Sequence, residues 1–392
     1  MRVVLDGRIV LPRMTGAGRY VIELALRLPD LAADLGVEVL LHPAMRTTAI
    51  PAMLCDAKVK VHYVNARVAS LQQWLVMPRV LERLRPDLYH YPFVDLPYVR
   101  FPCVVTFYDL NAILHSEYFD HLRRLRRAGA RTLMRSTLRR SRVALTISEA
   151  TRRLVQEHYP EWAHKVRTIH LGVDPAAWAG NAPSVTSRTG DRDTAWQSRP
   201  YVLYVGVDRP HKNLLRLVGG FRGFRVRNGW QEGSGPYLWL AGVGAGSAQL
   251  QAQVSDMTLG RDVRLDRALD ESGLRAAYRG ARAVAYVSTS EGFGLPLLEA
   301  LAAGVPVVAA DASSLPEVGG DAVLYTNPYD EQAISEALTR IWNEEDLRRT
   351  LVERGRERVK RFSWHATATA TVEAYYDVLR CKSAPRWRDE AR

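Results

Sequence analysis

Two glutamates on either side of a glycine turn are the residues whose types and spacing most suggest chemistry. Glu291 and Glu299 lie in the stretch STSEGFGLPLLEALAAGVPVVAAD, which spans residues 288–311. A retaining glycosidase needs its two carboxylates about 5 Å apart at one bond, whereas here a turn suited to an anion lies between them. That order fits a ligand with a central diphosphate, in which Glu299 binds a ribose and Glu291 binds a sugar. The alternative is that both are solvated glutamates beside an ordinary turn.

The elements around this turn explain the predicted anion site. The turn follows AVAYVS, which is typical of a buried strand, and precedes a short helix with Pro296 and Gly304 at its two ends. The N–H groups of Gly294 and Leu295 would be unpaired at the amino terminus of this helix, where the helix dipole favours an anion. Gly292, like Gly294, would let the backbone approach a phosphate closely.

Basic residues and further glycines in other loops could reach the same anion. The run VGVDRPHKNLL places Arg209 and Lys212 between a strand and the next helix, where their charge could stabilise a departing diphosphate. Near the amino terminus, the TGAGRY turn with Gly16 and Gly18 could close on the diphosphate or be only a tight connection. We interpret the glycine-rich run AGVGAG as structural, because glycine loops are common.

The elements that must position these residues form two α/β domains. Short apolar strands alternate with helical patterns in residues 1–178 and again in residues 201–362, which predicts two parallel sheets of similar size with helices on both faces. The polar, aperiodic residues 179–200 are predicted to be a linker. Ligands bind at the carboxyl ends of parallel strands, so we expect the site in the cleft between the domains.

The charge of the chain is concentrated in one segment. The net charge is +12, and residues 123–142 contain nine arginines and no acidic residue. Such a segment attracts phosphates of lipid or nucleic acid. It is either a solvated basic helix or a patch that contacts an anionic membrane, and no nucleic-acid-binding module accompanies it.

The remaining composition fits a cytosolic, reduced setting best. No uncharged apolar run approaches the length of a membrane span, and the first residues do not form a signal peptide. The three cysteines are too scattered for a zinc site or a disulfide framework; they are Cys55, Cys103 and Cys381.

Taken together, these motifs resemble glycosyltransferase family 4, whose members have the GT-B architecture of two facing Rossmann-like domains. The run SEGFGLPLLEALAAGVPVVAADASSLPEVGGDAVLY matches the E-x7-E signature of that family and its continuation. Flanking motifs follow in the expected order, namely TGAGRYVIEL, LTISEATRRL, HLGVDPAAW and KNLLRL. FSWHATATATVEAYYDVL resembles the closing segment, so that residues 363–392 would form a helix that returns to the first domain, and a tail.

The resemblance implies that the first domain binds the acceptor and the second a nucleotide-sugar donor. It also implies retention of the anomeric configuration, without a metal or another cofactor. Glu291 would contact the donor sugar, Lys212 the diphosphate and Glu299 the ribose. Backbone N–H groups would come from Gly292, Phe293, Gly294 and Leu295, with Gly16 and Gly18 facing the diphosphate from the first domain.

Two positions depart from the family pattern. Val207 stands where the family often has an arginine, which leaves Arg209 to substitute for it. Tyr108, in TFYDL, stands where many members have a histidine. Because the pKa of tyrosine is about 10, we expect Tyr108 to position the substrate and not to act as a base. His90 and His115 are further candidates on the cleft side, although a lone histidine is more often structural.

The predicted function is therefore a metal-independent, retaining hexosyltransferase, with GDP-mannose as the first choice of donor. Its acceptor would be a glycan or a lipid-linked saccharide of cell-surface polysaccharide biosynthesis. The protein is expected to be cytoplasmic or peripheral on the inner face of the membrane, with residues 123–142 contacting anionic lipid. The alternatives are a nucleotide-sugar epimerase of the same architecture and a non-catalytic protein that binds anionic membranes.

Overall fold

The protein consists of two compact units. A computed structural model describes residues 1–12, 14–111, 123–179, 196, 199–267 and 269–380. The first unit comprises Met1–Gly172 together with the C-terminal residues from Trp364 onward, and the second comprises Val173–Ser363. The chain enters the second unit at Val173, ahead of the predicted boundary at 178, and most of the predicted linker lies outside the described residues.

The first unit is built on a seven-stranded parallel sheet with the order β3-β2-β1-β4-β5-β6-β7. The helices cover the sheet with apolar faces, as the i, i+3, i+4, i+7 spacing of the first helix predicts. The strands are β1 Arg2–Asp6, β2 Gly36–Leu41, β3 Lys60–Tyr63, β4 Leu88–Tyr91, β5 Cys103–Phe107, β6 Val143–Thr146 and β7 Val166–Thr168. The helices are α1 Gly16–Leu31, α2 Ile50–Asp56, α3 Leu71–Leu84, α4 Arg123–Arg140 and α5 Glu149–His158.

The second unit is built on a six-stranded parallel sheet with the order β10-β9-β8-β11-β12-β13. Its strands are β8 Tyr201–Val205, β9 Tyr237–Ala241, β10 Val263–Asp266, β11 Ala283–Tyr286, β12 Val307–Ala310 and β13 Leu324–Thr326. Its helices are α6 Pro175–Trp178, α7 Leu214–Arg227, α8 Ala248–Asp256, α9 Glu271–Gly280, α10 Leu295–Ala302, α11 Leu315–Gly319, α12 Glu331–Asn343 and α13 Glu345–Val359.

Both sheets are Rossmann-like, which confirms the predicted fold class. In each sheet the first and fourth strands of the unit are neighbours, β1 beside β4 and β8 beside β11. The chain adds strands in opposite directions on the two sides of this pair. The strands β7 and β13 are edge strands of three residues each, too short to show a hydrophobic period, so the sequence alone does not predict them. Among the described residues, no helix is long and apolar enough to cross a bilayer.

The last helix, α14 (Trp364–Arg380), belongs to the first unit, as the resemblance predicted. It is fastened there by a buried chain of hydrogen bonds. The Nδ1 atom of His90 lies 2.7 Å from the Tyr375 hydroxyl, and its Nε2 atom lies 2.7 Å from the Thr106 hydroxyl. His90 is therefore part of the core, and burial lowers its pKa from 6.5 to about 3.

Because of His90, we expect the free energy of unfolding to fall in acid. Below pH 6.5 the unfolded chain binds a proton at His90 that the folded protein does not bind, so the free energy of unfolding falls by about 1.4 kcal/mol per pH unit toward pH 3. His90→Gln should flatten this slope in denaturant melts at a series of pH values. Tyr375→Phe should lower stability by about 1 kcal/mol at every pH but keep the slope. An unchanged slope in His90→Gln would assign the acid sensitivity to other groups.

Candidate functional site

The strongest candidate site lies at the switch point of the second sheet. β8 and β11 are hydrogen-bonded neighbours there, although β9 and β10 separate them along the chain. The loop after β8 carries Lys212, and the loop after β11 carries Glu291. In sheets of this type the loops at a switch point diverge to opposite faces and leave a crevice for a ligand.

Lys212 and Glu291 are in direct contact. The Lys212 Nζ atom donates to both carboxylate oxygens of Glu291, at 2.7 and 2.9 Å, and to the Tyr286 hydroxyl at 3.1 Å. The side chains of the lysine and the glutamate are only 14% and 9% exposed. The structure thus brings together two residues that the sequence analysis had selected separately.

The electrostatics of this pair keep it ionised. Burial alone would raise the pKa of Glu291, but the charge and hydrogen bonds of Lys212 outweigh burial and hold this pKa below its usual range. Burial and the Glu291 charge raise the pKa of Tyr286 well above its usual value, so Tyr286 remains a neutral hydroxyl. The site therefore contains a cation, an anion and a polar hydroxyl at neutral pH.

The loop that carries Lys212 is tied to the end of β11. Asn213 follows Lys212 in the left-handed conformation, with a φ of 62°, which asparagine tolerates better than most residues. Its buried side-chain amide donates to the carbonyls of Val287 at 3.0 Å and Pro328 at 2.6 Å. The Thr289 N–H also donates to the His211 carbonyl, at 2.8 Å. These bonds fix the position of the lysine relative to the glutamate loop.

Two serines from the turn after β12 hold the glutamate loop from its other side. The Ser313 hydroxyl donates to the Glu291 carbonyl at 2.8 Å. The Ser314 hydroxyl lies 3.0 Å from the same carbonyl and 2.9 Å from the carbonyl of Phe293. Phe293 is buried, and its ring meets that of Phe362 edge to face. The loop backbone is therefore rigidly supported before it enters α10.

The amino terminus of α10 has the features of an anion site. Gly294 precedes the helix with a φ of +107°, and a Cβ atom there would lie 2.9 Å from Leu315. The N–H groups of Leu297 and Leu298 both donate to the Gly294 carbonyl, and Pro296 has no N–H. Within the described residues, the N–H groups of Gly294 and Leu295 have no recorded acceptor. Because both residues are buried, a bound anion would satisfy groups that are otherwise costly to leave unpaired.

Glu299 lies one helical turn inside α10 and is buried. The Tyr278 hydroxyl approaches its Oε2 atom at 3.3 Å and the Pro296 carbonyl at 3.1 Å. Trp178, from the short helix α6, packs edge to face on Tyr278 with the ring centroids 5.4 Å apart. This contact places Trp178 in the second unit. The prediction that Glu299 binds a ribose stays a prediction.

Arg209 is not part of this cluster. Its side chain is exposed, and no ion pair or hydrogen bond of that side chain is recorded within the described residues. The AGVGAG loop is structural, as interpreted from the sequence. The N–H groups of Gly242 and Gly244 donate to the Asp266 carbonyl, and a Cβ on Gly242 would lie 2.7 Å from the carbonyl oxygen of Gly206.

In the first unit, the structure brings Tyr108 to the glycine turn. The Tyr108 hydroxyl donates to the carbonyl of Ala17, between Gly16 and Gly18, at 3.4 Å. Burial raises the pKa of Tyr108 well above 10, so its hydroxyl is neutral at pH 7. The positioning role of Tyr108 stays a prediction. The Gly18 N–H donates to the Thr15 side chain at 3.1 Å, so that this N–H caps α1.

The two histidine candidates do not contribute to a described site. His90 lies in the core, where burial and the low pKa exclude a role as a base at neutral pH, and His115 lies outside the described residues. The described ranges also contain no group of three or more His, Cys, Asp or Glu residues that could hold a metal ion.

Sequence reasoning missed the residues that support the charged pair. In the sequence, Tyr286 is only one residue of the apolar strand AVAYVS, and nothing connects Asn213 to the loop of Glu291. The Ser-Ser-Leu-Pro run at 313–316 is typical of a helix start, with proline in the first turn. That signal marks the start of α11, where Ser314 makes no side-chain capping bond, but it does not reveal that the hydroxyls hold the Glu291 loop.

Comparisons with known proteins identify the family of the chain. A family model described as glycosyl transferases group 1 matches residues 190–358, and one described as glycosyltransferase family 4 matches residues 14–177. The O-antigen chain mannosyltransferase B of Escherichia coli is 27% identical over 389 residues, covering 96% of this chain and 99% of that protein.

Solved structures share the fold across nearly the whole chain. Sucrose-phosphate synthase from Thermosynechococcus elongatus superposes with a TM-score of 0.73 at 19% identity, covering 97% of this chain and 100% of that one. Anabaena HepE in complex with UDP and glucose superposes with a TM-score of 0.71 at 17% identity, covering 96% and 100%.

Proposed function

The chain belongs to the GT-B glycosyltransferases of family 4, and we propose that it transfers mannose from a nucleotide-diphosphate sugar to an acceptor hydroxyl with retention of configuration. The observation that carries this proposal is the Lys212–Glu291 pair at the switch point, with Lys212 Nζ 2.7 Å from the carboxylate and the amino terminus of α10 following directly in the chain. A lysine held against the Glu291 loop, and N–H donors a few residues further along that loop, are groups of the kind that bind a pyrophosphate.

In the proposed mechanism the protein acts on the leaving group. As the bond between the anomeric carbon and the diphosphate oxygen breaks, negative charge develops on the diphosphate, and Lys212 with the N–H groups of Gly294 and Leu295 stabilises it. The acceptor hydroxyl attacks the anomeric carbon from the face that the diphosphate leaves, and a departing phosphate oxygen takes its proton. No protein nucleophile, metal or other cofactor is required.

Glu291 changes partner in this mechanism. When the diphosphate pairs with Lys212, the carboxylate loses its hydrogen-bonded cation and becomes available to the hydroxyls of the donor sugar. Glu299 would bind the ribose from within α10. Arg209 lies three residues before Lys212, and its side chain is exposed. We assign it an auxiliary contact with the diphosphate.

Mannose is the first choice of sugar because the similar E. coli protein is a mannosyltransferase. GDP-mannose is accordingly the first choice of donor, although HepE is a structural neighbour that binds UDP and glucose. The acceptor would be a glycan or a lipid-linked saccharide in cell-surface polysaccharide biosynthesis, on the cytoplasmic side of the membrane. The arginines of residues 123–142 would attract anionic lipid there.

A screen of nucleotide sugars tests this proposal. We expect GDP-mannose to raise the melting temperature more than UDP-, dTDP- or ADP-sugars do, and to lose this effect in Lys212→Ala. Incubation with the donor alone should leave the sugar configuration unchanged, whereas an epimerase would alter it without an acceptor. Stabilisation by none of the nucleotide sugars would contradict the assignment of a donor site.

A further inference from the structure

The first unit carries an exposed apolar cluster outside the candidate site. Leu71 is 88% exposed, Leu75 is 67% exposed and Tyr98 is 68% exposed. Single exposed apolar residues are normal on protein surfaces, but a group of large ones indicates an interaction surface. We call the group formed by Leu71, Trp74, Leu75, Tyr98 and Arg140 the α3 patch.

Contacts with one arginine hold the aromatic part of the α3 patch together. The Arg140 guanidinium lies over the Trp74 ring at 5.8 Å and over the Tyr98 ring at 5.6 Å. It also donates to the carbonyl of Pro97 at 2.7 Å and to that of Leu96. The two rings therefore flank a fixed positive charge, an arrangement that is partly apolar and partly polar.

The helix adds a leucine row to these rings. Leu71, Leu75 and Arg79 follow one another at intervals of four residues, so that they share one face of α3. The Arg79 guanidinium donates to the Leu75 carbonyl at 2.8 Å, which keeps its charge beside the leucines. Exposed leucines with Trp and Tyr at their side and arginines around them are typical of proteins that lie on a bilayer surface.

The surrounding charge identifies the partner. Residues 57–81 and 96–108 contain no acidic residue, the exposed acid on α3 is Glu82 near its end, and residues 123–142 contain nine arginines and no acid. A second copy of this chain would bring the same positive charge to the contact and be repelled. An anionic lipid surface would instead be attracted by the arginines and would accept the leucines into its hydrocarbon boundary.

We infer that the α3 patch is the apolar anchor by which the protein docks on an anionic bilayer. The arginines of α4 attract the anionic lipid from a distance, while Leu71 and Leu75 insert into the bilayer. Within the described side chains of α4, residues 128–140, Leu133 is 39% exposed, less than Leu71 or Leu75. The inference does not depend on the donor or on catalysis, and it is tested without a measurement of activity.

Vesicle sedimentation with the full chain is the test. Wild type should bind vesicles of phosphatidylglycerol and phosphatidylcholine, bind phosphatidylcholine alone weakly, and be released by salt. Leu71→Ser/Leu75→Ser should lower the partition coefficient about tenfold or more, since two insertions are lost. Arg79→Gln should weaken binding to the anionic vesicles only.

Val226→Ser is the matched control, because Val226 is 71% exposed in the second unit beside Arg227. It should change the partition coefficient by no more than about twofold. Equal melting temperatures would show that all variants are folded. Binding of the double leucine variant at the wild-type level, or no binding by wild type, would overturn the inference. A wild-type dimer that becomes monomeric in the double variant would also overturn it, because the patch would then join two copies.

Discussion

Lys212→Ala is expected to lower kcat/KM by about a thousandfold, because removal of a preorganised charge from a developing oxyanion costs roughly this factor or more. Lys212 is the cation at the switch point, with its Nζ atom 2.7 Å from Glu291 and 3.1 Å from the Tyr286 hydroxyl. Steady-state kinetics with the donor that the screen identifies would measure the loss. The loss should appear in kcat, since the diphosphate charge grows in the transition state.

The same substitution should also affect folding. It leaves the Glu291 carboxylate, 9% exposed, without its cation, and removing one partner of a buried pair costs about 3–5 kcal/mol. Glu291→Gln in the Lys212→Ala background removes the stranded charge and should recover much of this stability. Activity should stay low in the double variant, because it lacks both the lysine that acts on the diphosphate and the carboxylate that binds the sugar. Recovery of both stability and activity would reduce Lys212 to a structural role.

Arg209→Ala is the matched control for the loss of a cation from this loop. The Arg209 side chain is exposed, so the free energy of unfolding should change by less than about 0.5 kcal/mol. Activity should fall far less than in Lys212→Ala. An equal loss of kcat in the two variants would contradict the assignment of the diphosphate to Lys212.

Gly294→Ala is expected to weaken donor binding about a hundredfold, because small displacements of positioning groups have effects of this size. The residue has a φ of +107°, and its added Cβ would lie 2.9 Å from the Leu315 Cδ2 atom. Alanine is strained in this conformation, so the backbone must shift. That shift would displace the N–H groups of Gly294 and Leu295, which would contact the diphosphate.

Gly304→Ala provides a control at the opposite end of α10. Its φ is +72°, but an added Cβ would lie 4.0 Å from its nearest neighbours, the Arg356 Nη2 and Val352 Cγ1 atoms. Both substitutions should therefore lower the melting temperature, whereas only Gly294→Ala should raise the donor dissociation constant in calorimetry. Equal donor affinity in the two variants would show that the amino terminus of α10 does not hold the ligand.

Local patterns were sufficient to predict the main elements of the fold. The buried strands are continuous apolar runs, and Pro296 and Gly304 mark the two ends of α10. The short edge strands β7 and β13 gave no such signal. The entry into the second unit was also placed late, because the packing of Trp178 on Tyr278 joins residues far apart in the chain.

The sequence was sufficient to select residues of the candidate site, but not to predict which of their side chains contact one another. Lys212 and Glu291 are 79 positions apart, and they meet because β8 pairs with β11 across the switch point. Their mutual ion pair was not expected, since the sequence suggested separate roles on the diphosphate and the sugar. The support by Ser313, Ser314 and Asn213 likewise depends on tertiary hydrogen bonds that no local pattern encodes.

A crystal structure with GDP-mannose bound tests most directly whether this pair forms the diphosphate site. We predict a diphosphate oxygen within hydrogen-bonding distance of Lys212 Nζ and of the N–H groups of Gly294 and Leu295, with the Glu291 carboxylate turned to the sugar. A ligand bound elsewhere, with Lys212 still 2.7 and 2.9 Å from the Glu291 carboxylate oxygens, would contradict the account.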